Sequence, residues 1–280
     1  MSEVTVREAL AGAVSEIAAA GCYTPRLDAE LLLAHALGVS RERLLCEGSA
    51  VVGADALPAF RHAVRRRAGE REAVAYITGR RAFRHLQLAV DRRALIPRPE
   101  TELLVEVALA LPARARVLDV GTGSGAVALA LKQERPDLRV TGSDVSERAL
   151  SLAQENAVRL DLDVRFVRAD LLDGLHHPYD AVLANLPYVA DGERAVLAPE
   201  IARHEPAGAL FAGADGLAQI CRLLAQLKRR PSVELIAIEV GAGQAPAVAA
   251  RTRAAGFATV RCRRDLAGIE RVVIGLERRR

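Results

Sequence analysis

The sequence predicts a doubly wound α/β fold with a mainly parallel sheet, preceded by a small helical domain. From residue 116 onward, short apolar segments alternate with helical segments, and a glycine-rich turn at 121–125 follows the first apolar segment. Residues 1–80, by contrast, show only helical periodicity. Alternation of this kind predicts parallel strands with helices on both faces of the sheet. Ligands of such sheets bind at the carboxyl ends of the strands.

Length and composition agree with this fold class. A chain of 280 residues is long enough for one α/β domain and a smaller one. Hydrophobic residues make up 51% and aromatic residues only 3%, so the core must be built from aliphatic side chains. The formal charge of +4 permits contact with an acidic partner or with RNA but requires neither.

The cysteines and the apolar segments indicate the compartment. The four cysteines form no CxxC pair, which argues against a zinc site and against a disulfide framework. The first ten residues have no apolar signal-peptide core, and no apolar stretch reaches the length of a membrane span. We therefore expect a cytoplasmic protein with reduced thiols, without a metal and without membrane association.

Two amphipathic helices are predicted in the first domain. In TPRLDAELLLAHALG, Thr24 is placed as the N-cap, Pro25 as the first helical residue and Gly38 as the stop. The apolar stripe of this helix is formed by Leu27, Leu31, Leu32, Ala34 and Leu37. The second helix covers about 56–68, and the cluster from Arg65 to Arg67 is interpreted as its solvated face.

A connector joins the two domains. Residues 82–96 alternate loosely, as a short β-hairpin or an extended connector does. The two prolines of IPRPE impose an extended or turn backbone, after which Glu100 or Thr101 opens a helix to about Leu111. The predicted organisation is a helical bundle at 1–80, a hairpin or linker at 81–96, and an α/β domain at 97–280.

The remaining elements follow in order. The predicted strands are RVLDV, RVTGSD, VRFVRAD, YDAVLANLPY, ELIAIEVG, and two closing strands around Val260 and Val272. The predicted helices are AVALALKQE, SERALSLAQENAVRL, a segment around 217–227, and one near 246–255.

The glycine turn and a later aspartate indicate a nucleoside site. Gly121, Gly123 and Gly125 lie between a strand and a helix, where glycine allows a tight turn and close approach of a ligand. Asp144 ends the next strand, where a carboxylate can accept hydrogen bonds from both ribose hydroxyls. GTGSGA also satisfies a looser dinucleotide pattern, so a nicotinamide cofactor stays open, as does a tight turn without a ligand.

Asp119 precedes the turn and has two interpretations. Its carboxylate can meet the amino group of a bound amino-acid moiety, which suits S-adenosylmethionine and does not suit a nicotinamide dinucleotide. It can equally cap the loop that follows it.

The tetrapeptide Asn185-Leu186-Pro187-Tyr188 ends the fourth strand and suggests a reaction. An amide or aryl-amine nitrogen is a poor nucleophile because its lone pair is delocalised. Hydrogen bonds from its NH₂ group to the Asn185 side-chain oxygen and to the carbonyl of residue 186 concentrate electron density on it and aim it at a sulfonium methyl. Tyr188 offers a flat face for a planar group, and Pro187 stiffens the turn. An ordinary Asn-Pro type turn after a strand is the alternative.

The chain resembles the protein-(glutamine-N5) methyltransferases that modify peptide-chain release factors. The resemblance covers nearly the whole length and includes TPRLDAELLLAHALG, YITGRRAF, LIPRPETELLVE, VLDVGTGSGAVALALK, GSDVSERALSLAQENA, ANLPYV, EPAGALFAGADGL and IEVGAGQ. The PRPETE junction and the helical N-terminal domain are much more specific than the glycine loop. It implies a class I methyltransferase (Rossmann-like) fold, S-adenosylmethionine as methyl donor, and the glutamine of a Gly-Gly-Gln motif as target. It also implies that the helical domain grips the release factor and that Leu171 lies beside the adenine.

One residue departs from the family pattern, which is usually Asn-Pro-Pro-Tyr. Leu186 keeps the backbone carbonyl that the reaction needs but adds an N–H and a freer φ. Asn-Leu-Pro-Tyr is also similar to the tetrapeptide of the rRNA adenine dimethyltransferases. A nucleic-acid adenine or other amide methyltransferase therefore stays an alternative, and a non-catalytic protein that binds cofactor or release factor is a second one.

The predicted site has three overlapping sets of residues. The catalytic residues are Asn185 and Tyr188, and the substrate-binding residues are Asn185, Leu186, Pro187 and Tyr188. The cofactor-binding residues are Asp119, Gly121, Thr122, Gly123, Ser124, Gly125, Asp144, Leu171 and Asn185. Glu205 and Glu239 are interpreted as structural or supporting residues. The expected partners are release factors, with no requirement for nucleic acid, and we expect a monomer.

Overall fold

The computed structural model describes residues 4–278 and divides the chain into two compact units. The first unit contains the chain up to Arg80 together with Leu197–His204, and the second contains Arg81–Val196 and the chain from Glu205 onward. Residues 1–3 and 279–280, which the sequence analysis assigns to the first and last domains, lie outside the described residues.

The helices and strands of the described residues are as follows. The helices are α1 (Val6–Ala19), α2 (Pro25–Leu37), α3 (Arg41–Cys46), α4 (Ala56–Gly69), α5 (Val74–Thr78), α6 (Glu102–Ala108), α7 (Ala126–Glu134), α8 (Glu147–Leu160), α9 (Pro199–His204), α10 (Ala218–Leu227) and α11 (Ala245–Ala254). The strands are β1 (Arg80–Phe83), β2 (Leu86–Ala89), β3 (Arg116–Val120), β4 (Arg139–Asp144), β5 (Arg165–Arg168), β6 (Ala181–Ala184), β7 (Leu235–Glu239), β8 (Phe257–Arg264) and β9 (Glu270–Arg278). Short 3-10 helices lie at Pro99–Thr101, Asp191–Val196 and Ala207–Ala209.

Helix α2 begins and ends where the sequence predicts, but its apolar stripe is only partly buried. Gly38 ends the helix in the left-handed conformation, with φ of 66°. The Thr24 hydroxyl does not cap the backbone; it donates to Asp28 Oδ1 at 2.8 Å. Leu27 and Leu31 are exposed, contrary to the predicted stripe, because the buried face of α2 also carries charged side chains.

Those charged side chains also explain why Arg67 is buried, although the sequence predicts that it faces solvent. Arg67, predicted to face solvent, is buried and donates to Asp28 Oδ2 at 2.6 Å and to Glu200 Oε1 at 2.8 Å. Arg71 also donates to Glu200, at 2.9 Å. The expected solvated face is therefore wrong for Arg67, since the carboxylates of α2 and of the returning segment α9 compensate its charge. Arg65 of the same cluster is exposed as predicted.

The second unit is built on a seven-stranded sheet. Its strand order is β5-β4-β3-β6-β7-β9-β8. The pairs β4–β5, β3–β4, β3–β6 and β6–β7 are parallel, while β9 runs antiparallel to both of its neighbours. The prediction of a mainly parallel sheet is therefore confirmed.

Helices cover both faces of this sheet. All four residues of β6 are buried, as are the last four of β3 and of β7, which is typical of strands covered on both faces. On one face, alternate residues of these strands pack in one cluster with residues of α10 and α11. Helices α6 and α7 contact the central strands as well, and Leu104 and Leu129 are fully buried. The doubly wound arrangement is thus confirmed.

The predicted elements agree closely with those observed. RVLDV, AVALALKQE and RVTGSD coincide with β3, α7 and β4. Strands β1 and β2 form a two-stranded sheet, so the connector contains the expected hairpin. Helix α6 ends at Ala108, three residues before the expected Leu111. Because β3 lies between β4 and β6 in the sheet, the loop after β3 sits where the direction of winding reverses.

Candidate active site

The glycine turn after β3 depends on backbone conformations that favour glycine. Gly121, Gly123 and Gly125 have φ of 73°, 56° and 83°, all in the left-handed region. The N–H groups of Gly121 and Thr122 donate to the carbonyl of Ser143 in β4, at 2.8 and 2.9 Å. The turn is therefore anchored to the neighbouring strand.

Gly125 serves packing in addition to the turn. A Cβ at this position would lie 3.0 Å from a methyl carbon of Leu129, 3.2 Å from Ala153 and 3.3 Å from the ring of Phe166. Helix α7 can approach the sheet this closely because residue 125 has no side chain.

Asp119 is buried at the end of β3 and is engaged within the loop. Its carboxylate accepts a 2.6 Å hydrogen bond from the Thr122 hydroxyl and another from the backbone N–H of Ala128. Burial raises the pKa of this carboxyl to about 7. The contacts are those of a residue that caps the following loop, and Asp119 is also among the residues that line the cavity described below.

Asp144, at the end of β4, faces the glycine turn. Its Oδ2 accepts from the N–H of Gly123 at 3.0 Å, and its Oδ1 accepts from the N–H of Ser146 at 2.9 Å. Burial raises the pKa of this carboxyl above its usual value. The backbone N–H of Val145 is a third donor to this carboxylate, which leaves one acceptor position for a further donor, such as a hydroxyl group.

The tetrapeptide Asn185–Tyr188 follows β6 directly. Asn185 donates from Nδ2 to Thr101 Oγ1 at 3.0 Å. Leu186 is buried, and its Cδ2 would lie 3.1 Å from a Cβ placed on Gly121, so this side chain packs against the glycine turn. The Tyr188 hydroxyl is directed to Glu239 Oε1 at 3.3 Å, and burial raises the pKa of that hydroxyl above its usual range.

A cavity of about 470 Å³ lies over these loops, within the second unit. The predicted residues that line it are Asp119, Gly121, Thr122, Gly123, Ser124, Asp144, Leu171, Asn185, Leu186 and Pro187. Two predicted site residues, Gly125 and Tyr188, are not among its lining residues. The structure therefore brings most of the predicted site together around one cavity.

Leu171 lines the cavity in an unusual backbone conformation. Its φ is 57°, in the left-handed region that a leucine rarely adopts, and its side chain is buried. Such a conformation costs roughly 1–2 kcal/mol and is typically found where the surrounding structure requires it. The loop after β5 thus presents an apolar wall to the cavity.

Several residues that the sequence analysis did not select complete the site. Thr101, Pro97, Val145 and Gln219 line the cavity. Outside it, Gln244 donates from Nε2 to the carbonyl of Tyr188 at 2.9 Å. The strings PRPETE and IEVGAGQ contain Thr101 and Gln244, but their partners in space are not visible in the sequence.

Glu205, interpreted as structural or supporting, forms an ion pair at the edge of the site. The Nη2 atom of Arg98 donates to both oxygens of Glu205, at 2.7 and 2.8 Å. Glu205 is buried, and its neighbour Pro206 lines the cavity. The pair therefore fixes the segment after α9 against the junction that precedes α6.

The described residues were also compared with the requirements of metal sites and of membrane spans, and they meet neither. Among residues 4–278, no three His, Cys, Asp or Glu side chains are grouped so that they could hold a metal ion. No helix in the same range combines the length and apolar character needed to cross a membrane.

Comparison with known proteins identifies the family. Residues 8–79 match the PrmC N-terminal domain, and residues 99–209 match the methyltransferase small domain. A release factor glutamine methyltransferase of Deinococcus radiodurans is 42% identical over 273 residues, covering 96% of this chain and 97% of that protein. The enzyme of the same description from Mycolicibacterium smegmatis is 42% identical over 275 residues, covering 96% of each chain.

A solved structure supports the fold. The methyltransferase from Pyrococcus furiosus superimposes with a TM-score of 0.54 at 17% identity, covering 70% of this chain and 90% of that one. With the strand order of the sheet, this confirms the class I methyltransferase fold. Because these relatives are 42% identical to the chain over nearly its whole length, the chain belongs to the release factor glutamine methyltransferase family.

Proposed function

We propose that this protein transfers a methyl group from S-adenosylmethionine to the side-chain amide nitrogen of the glutamine in the Gly-Gly-Gln motif of a release factor. The observation that carries the proposal is that Asn185 and the glycine turn share one cavity. A nucleoside site next to an amide-recognising tetrapeptide is the arrangement that methylation of a planar nitrogen requires. The family to which the chain belongs supports the choice of glutamine.

The cavity fits the methyl donor. Asp144 offers its remaining acceptor position to a ribose hydroxyl, and the left-handed glycine turn leaves room for close approach of the amino-acid portion. Leu171 and Val145 supply apolar surface for the adenine. When bound, S-adenosylmethionine would supply a methyl group on a positively charged sulfur, and the electron pair of the broken sulfur–carbon bond would stay on the sulfur, which becomes neutral.

Asn185 and residue 186 act on the substrate nitrogen. The Asn185 side-chain oxygen and the Leu186 carbonyl accept hydrogen bonds from the two N–H groups of the glutamine amide, which orients its lone pair. As the nitrogen–carbon bond forms, one N–H proton leaves the nitrogen for water. Catalysis is then positioning combined with electrostatic stabilisation, and Leu186 serves because the acceptor is a backbone carbonyl.

We assign the helical unit to the binding of the release factor. Leu27 and Leu31 are 39% and 37% exposed and lie four residues apart near the start of α2, and Tyr23, which precedes the helix, is 89% exposed. Residues four apart share one face of a helix, so Leu27 and Leu31 form a short apolar stripe on the surface. Such a stripe suits recognition of a protein more than recognition of RNA, for which a basic groove is needed.

The test uses labelled S-adenosylmethionine with three acceptors. These are a bacterial release factor, the same factor with its Gly-Gly-Gln glutamine replaced, and ribosomal RNA. We expect label on the unmodified factor alone. Label on RNA would replace the glutamine assignment by the adenine alternative. Binding of the donor without transfer to any acceptor would support the non-catalytic alternative.

A further inference from the structure

The cavity extends to both sides of strand β3. Asp144 and Leu171, the residues proposed for the donor, follow β4 and β5, which lie on one side of β3 in the sheet. Asn185 follows β6, which lies on the other side. The groups proposed for the donor and the tetrapeptide therefore lie at different ends of one cavity, and the acceptor must enter at the end that carries the tetrapeptide.

Segment 205–212 is attached at its end to the backbone that follows the tetrapeptide. The N–H of Val189 donates to the carbonyl of Leu210 at 2.9 Å, and the N–H of Ala212 donates back to the carbonyl of Val189 at 3.0 Å. These two hydrogen bonds form a short parallel bridge. The last residues of the segment therefore run directly beside the end of the tetrapeptide.

The start of segment 205–212 is attached close to Asn185. The buried carboxylate of Glu205 accepts hydrogen bonds from Arg98 Nη2 at 2.7 and 2.8 Å. Arg98 directly precedes the 3-10 helix that ends at Thr101, and Thr101 Oγ1 accepts from Asn185 Nδ2 at 3.0 Å. Both ends of the segment are thus fixed next to the tetrapeptide and not next to the groups proposed for the donor.

Gly208 lies in the middle of this segment, in the 3-10 helix Ala207–Ala209. It is exposed to solvent and also lines the cavity, so it lies at the mouth of the cavity. Its φ is outside the left-handed region, so its backbone conformation does not require glycine. Apart from its chain neighbours, no heavy atom of the described residues would lie within 4 Å of a Cβ placed there. A side chain at residue 208 would therefore extend into open space at the mouth.

We propose that residues 206–209 form one edge of the entrance through which the acceptor peptide reaches Asn185, and that Gly208 keeps this entrance wide. The inference rests on the proposed function, because it names the part of the cavity that admits the glutamine. The side chain of a glutamine reaches the cavity only if the peptide backbone that carries it comes close to the mouth. Glycine residues beside that glutamine permit a close approach because they have no side chain, and Gly208 provides the same freedom on the side of the enzyme.

The first experiment narrows the entrance and measures binding of a bacterial release factor. Calorimetric titration gives the Kd of the factor for the full chain loaded with S-adenosylhomocysteine, so methyl transfer is not needed. We expect Gly208→Val to raise this Kd by about 10- to 100-fold and Gly208→Ala to raise it by less than about fivefold, because the larger side chain fills more of the entrance. An unchanged Kd in Gly208→Val would overturn the proposal.

Gly192→Val is the matched control. Gly192 also lies in an exposed 3-10 helix of the second unit, its φ is outside the left-handed region, and no heavy atom of the described residues would lie within 4 Å of its Cβ. It is not among the residues that line the cavity. We expect its Kd for the factor to stay within about twofold of that of the unmodified protein. Equal losses in Gly192→Val and Gly208→Val would show that the effect is unrelated to the cavity and would contradict the assignment.

Binding of the donor distinguishes the two ends of the cavity. Gly208→Val leaves the groups that follow β4 and β5 unchanged, so we expect its Kd for S-adenosylmethionine to stay within about twofold of that of the unmodified protein. A loss of donor affinity as large as the loss of factor affinity would place Gly208 beside the donor and would make the proposal wrong.

These measurements separate the entrance from the proposed function. If the unmodified protein binds the release factor but does not label it, the proposed function fails, and the Kd values of the variants still decide the role of Gly208. If the protein labels the factor and Gly208→Val binds the factor normally, the proposed function stands and the entrance is assigned wrongly. A protein that neither binds nor labels the factor would overturn both.

Discussion

Gln244, in the loop after β7, holds in place the backbone of Tyr188, which follows the neighbouring strand β6. Its Nε2 atom donates to the Tyr188 carbonyl at 2.9 Å, and its Oε1 atom accepts from the N–H of Gly241 at 2.9 Å. Gly216 packs against the same carbonyl so closely that a Cβ there would lie 2.2 Å from the oxygen. The end of the tetrapeptide is therefore fixed by IEVGAGQ and by GADGL, two strings that carry the family resemblance.

We expect replacement of Gln244 to impair methyl transfer more than donor binding. Gln244→Ala removes both hydrogen bonds, and Gln244→Glu keeps an acceptor for Gly241 but removes the donor to Tyr188. Both should lower kcat, and Gln244→Ala should cost about 1 kcal/mol of unfolding free energy. Kinetics with a release factor and calorimetric titration of the donor provide the measurement. A fall in donor affinity as large as the fall in rate would contradict a role for Gln244 on the substrate side.

Substitution of Asn185 should lower the rate of methyl transfer, whereas substitution of Asp144 should weaken binding of the donor. Asn185→Ala removes the acceptor for the substrate amide, so we expect kcat to fall by about 100- to 1,000-fold while the donor still binds. Asp144→Ala removes the acceptor proposed for the ribose, so the dissociation constant of the donor should increase by about 10- to 100-fold. Asp144→Asn is the comparison variant, because it keeps the size of the side chain and one acceptor oxygen, while its NH₂ group replaces the acceptor for either Gly123 or Ser146.

Calorimetry and single-turnover assays distinguish these outcomes. If Asn185→Ala loses donor affinity in proportion to its loss of rate, the main contribution of Asn185 is to binding of the donor and not of the substrate. Unchanged affinity in Asp144→Ala would exclude the ribose assignment.

The sequence predicts those parts of the site that depend on neighbouring residues in the chain. The glycine turn, Asp144 and Asn185 could be selected because a strand precedes each of them, and parallel strands bring such positions to one edge. Thr101 and Gln244 could not, since their partners in the tetrapeptide lie 84 and 56 residues away. The burial of Arg67 could not be predicted for the same reason. An arginine on a helix is expected in solvent unless its partner is known, and its partner Glu200 lies 133 residues further along the chain.

Substitutions of Gly125 and Gly174 distinguish the cost of backbone strain from the cost of close packing. Both have left-handed backbones, with φ of 83° and 75°, but a Cβ at Gly174 would meet nothing within 4 Å. We expect Gly174→Ala to cost about 1 kcal/mol of unfolding free energy, from the backbone alone. Gly125→Ala should cost about 2–4 kcal/mol, because the added carbon also displaces Leu129 and Ala153. Denaturant unfolding gives both free energies. Equal losses of unfolding free energy would mean that α7 can move away from residue 125 without a cost in stability.

Substitutions of Arg67 and Arg43 compare the contribution of a buried ion pair to stability with that of an exposed one. The side chains of Arg67 and Asp28 are each 7% exposed, whereas those of Arg43 and Glu47 are 66% and 46% exposed. Arg67→Met leaves Asp28 and Glu200 without their buried partner, so we expect a loss of about 3–5 kcal/mol. Arg43→Met should change stability by less than about 0.5 kcal/mol. Thermal unfolding of the two variants tests this, and similar melting temperatures would show that water reaches the carboxylates once Arg67 is shortened.

Glu239 makes the stability of the second unit depend on pH. Its pKa is about 7 in the folded protein, against 4.5 for an ordinary glutamate, so the folded state binds the proton more tightly than the unfolded state. The stabilisation from this proton is complete below pH 4.5 and is lost as the pH rises through 7. Glu239→Gln carries no titrating group, so its unfolding free energy relative to the unmodified protein should increase by roughly 1–3 kcal/mol between pH 5 and pH 9.

Asp119 does not obscure this comparison. Burial raises its pKa to about 7 as well, but it titrates in both proteins and therefore cancels in the difference between them. Denaturant unfolding at a series of pH values gives that difference directly. A difference that does not change with pH would mean that Glu239 is ionised at its ordinary pKa, with water supplying the hydrogen-bond partner that its buried Oε2 atom lacks among the described residues.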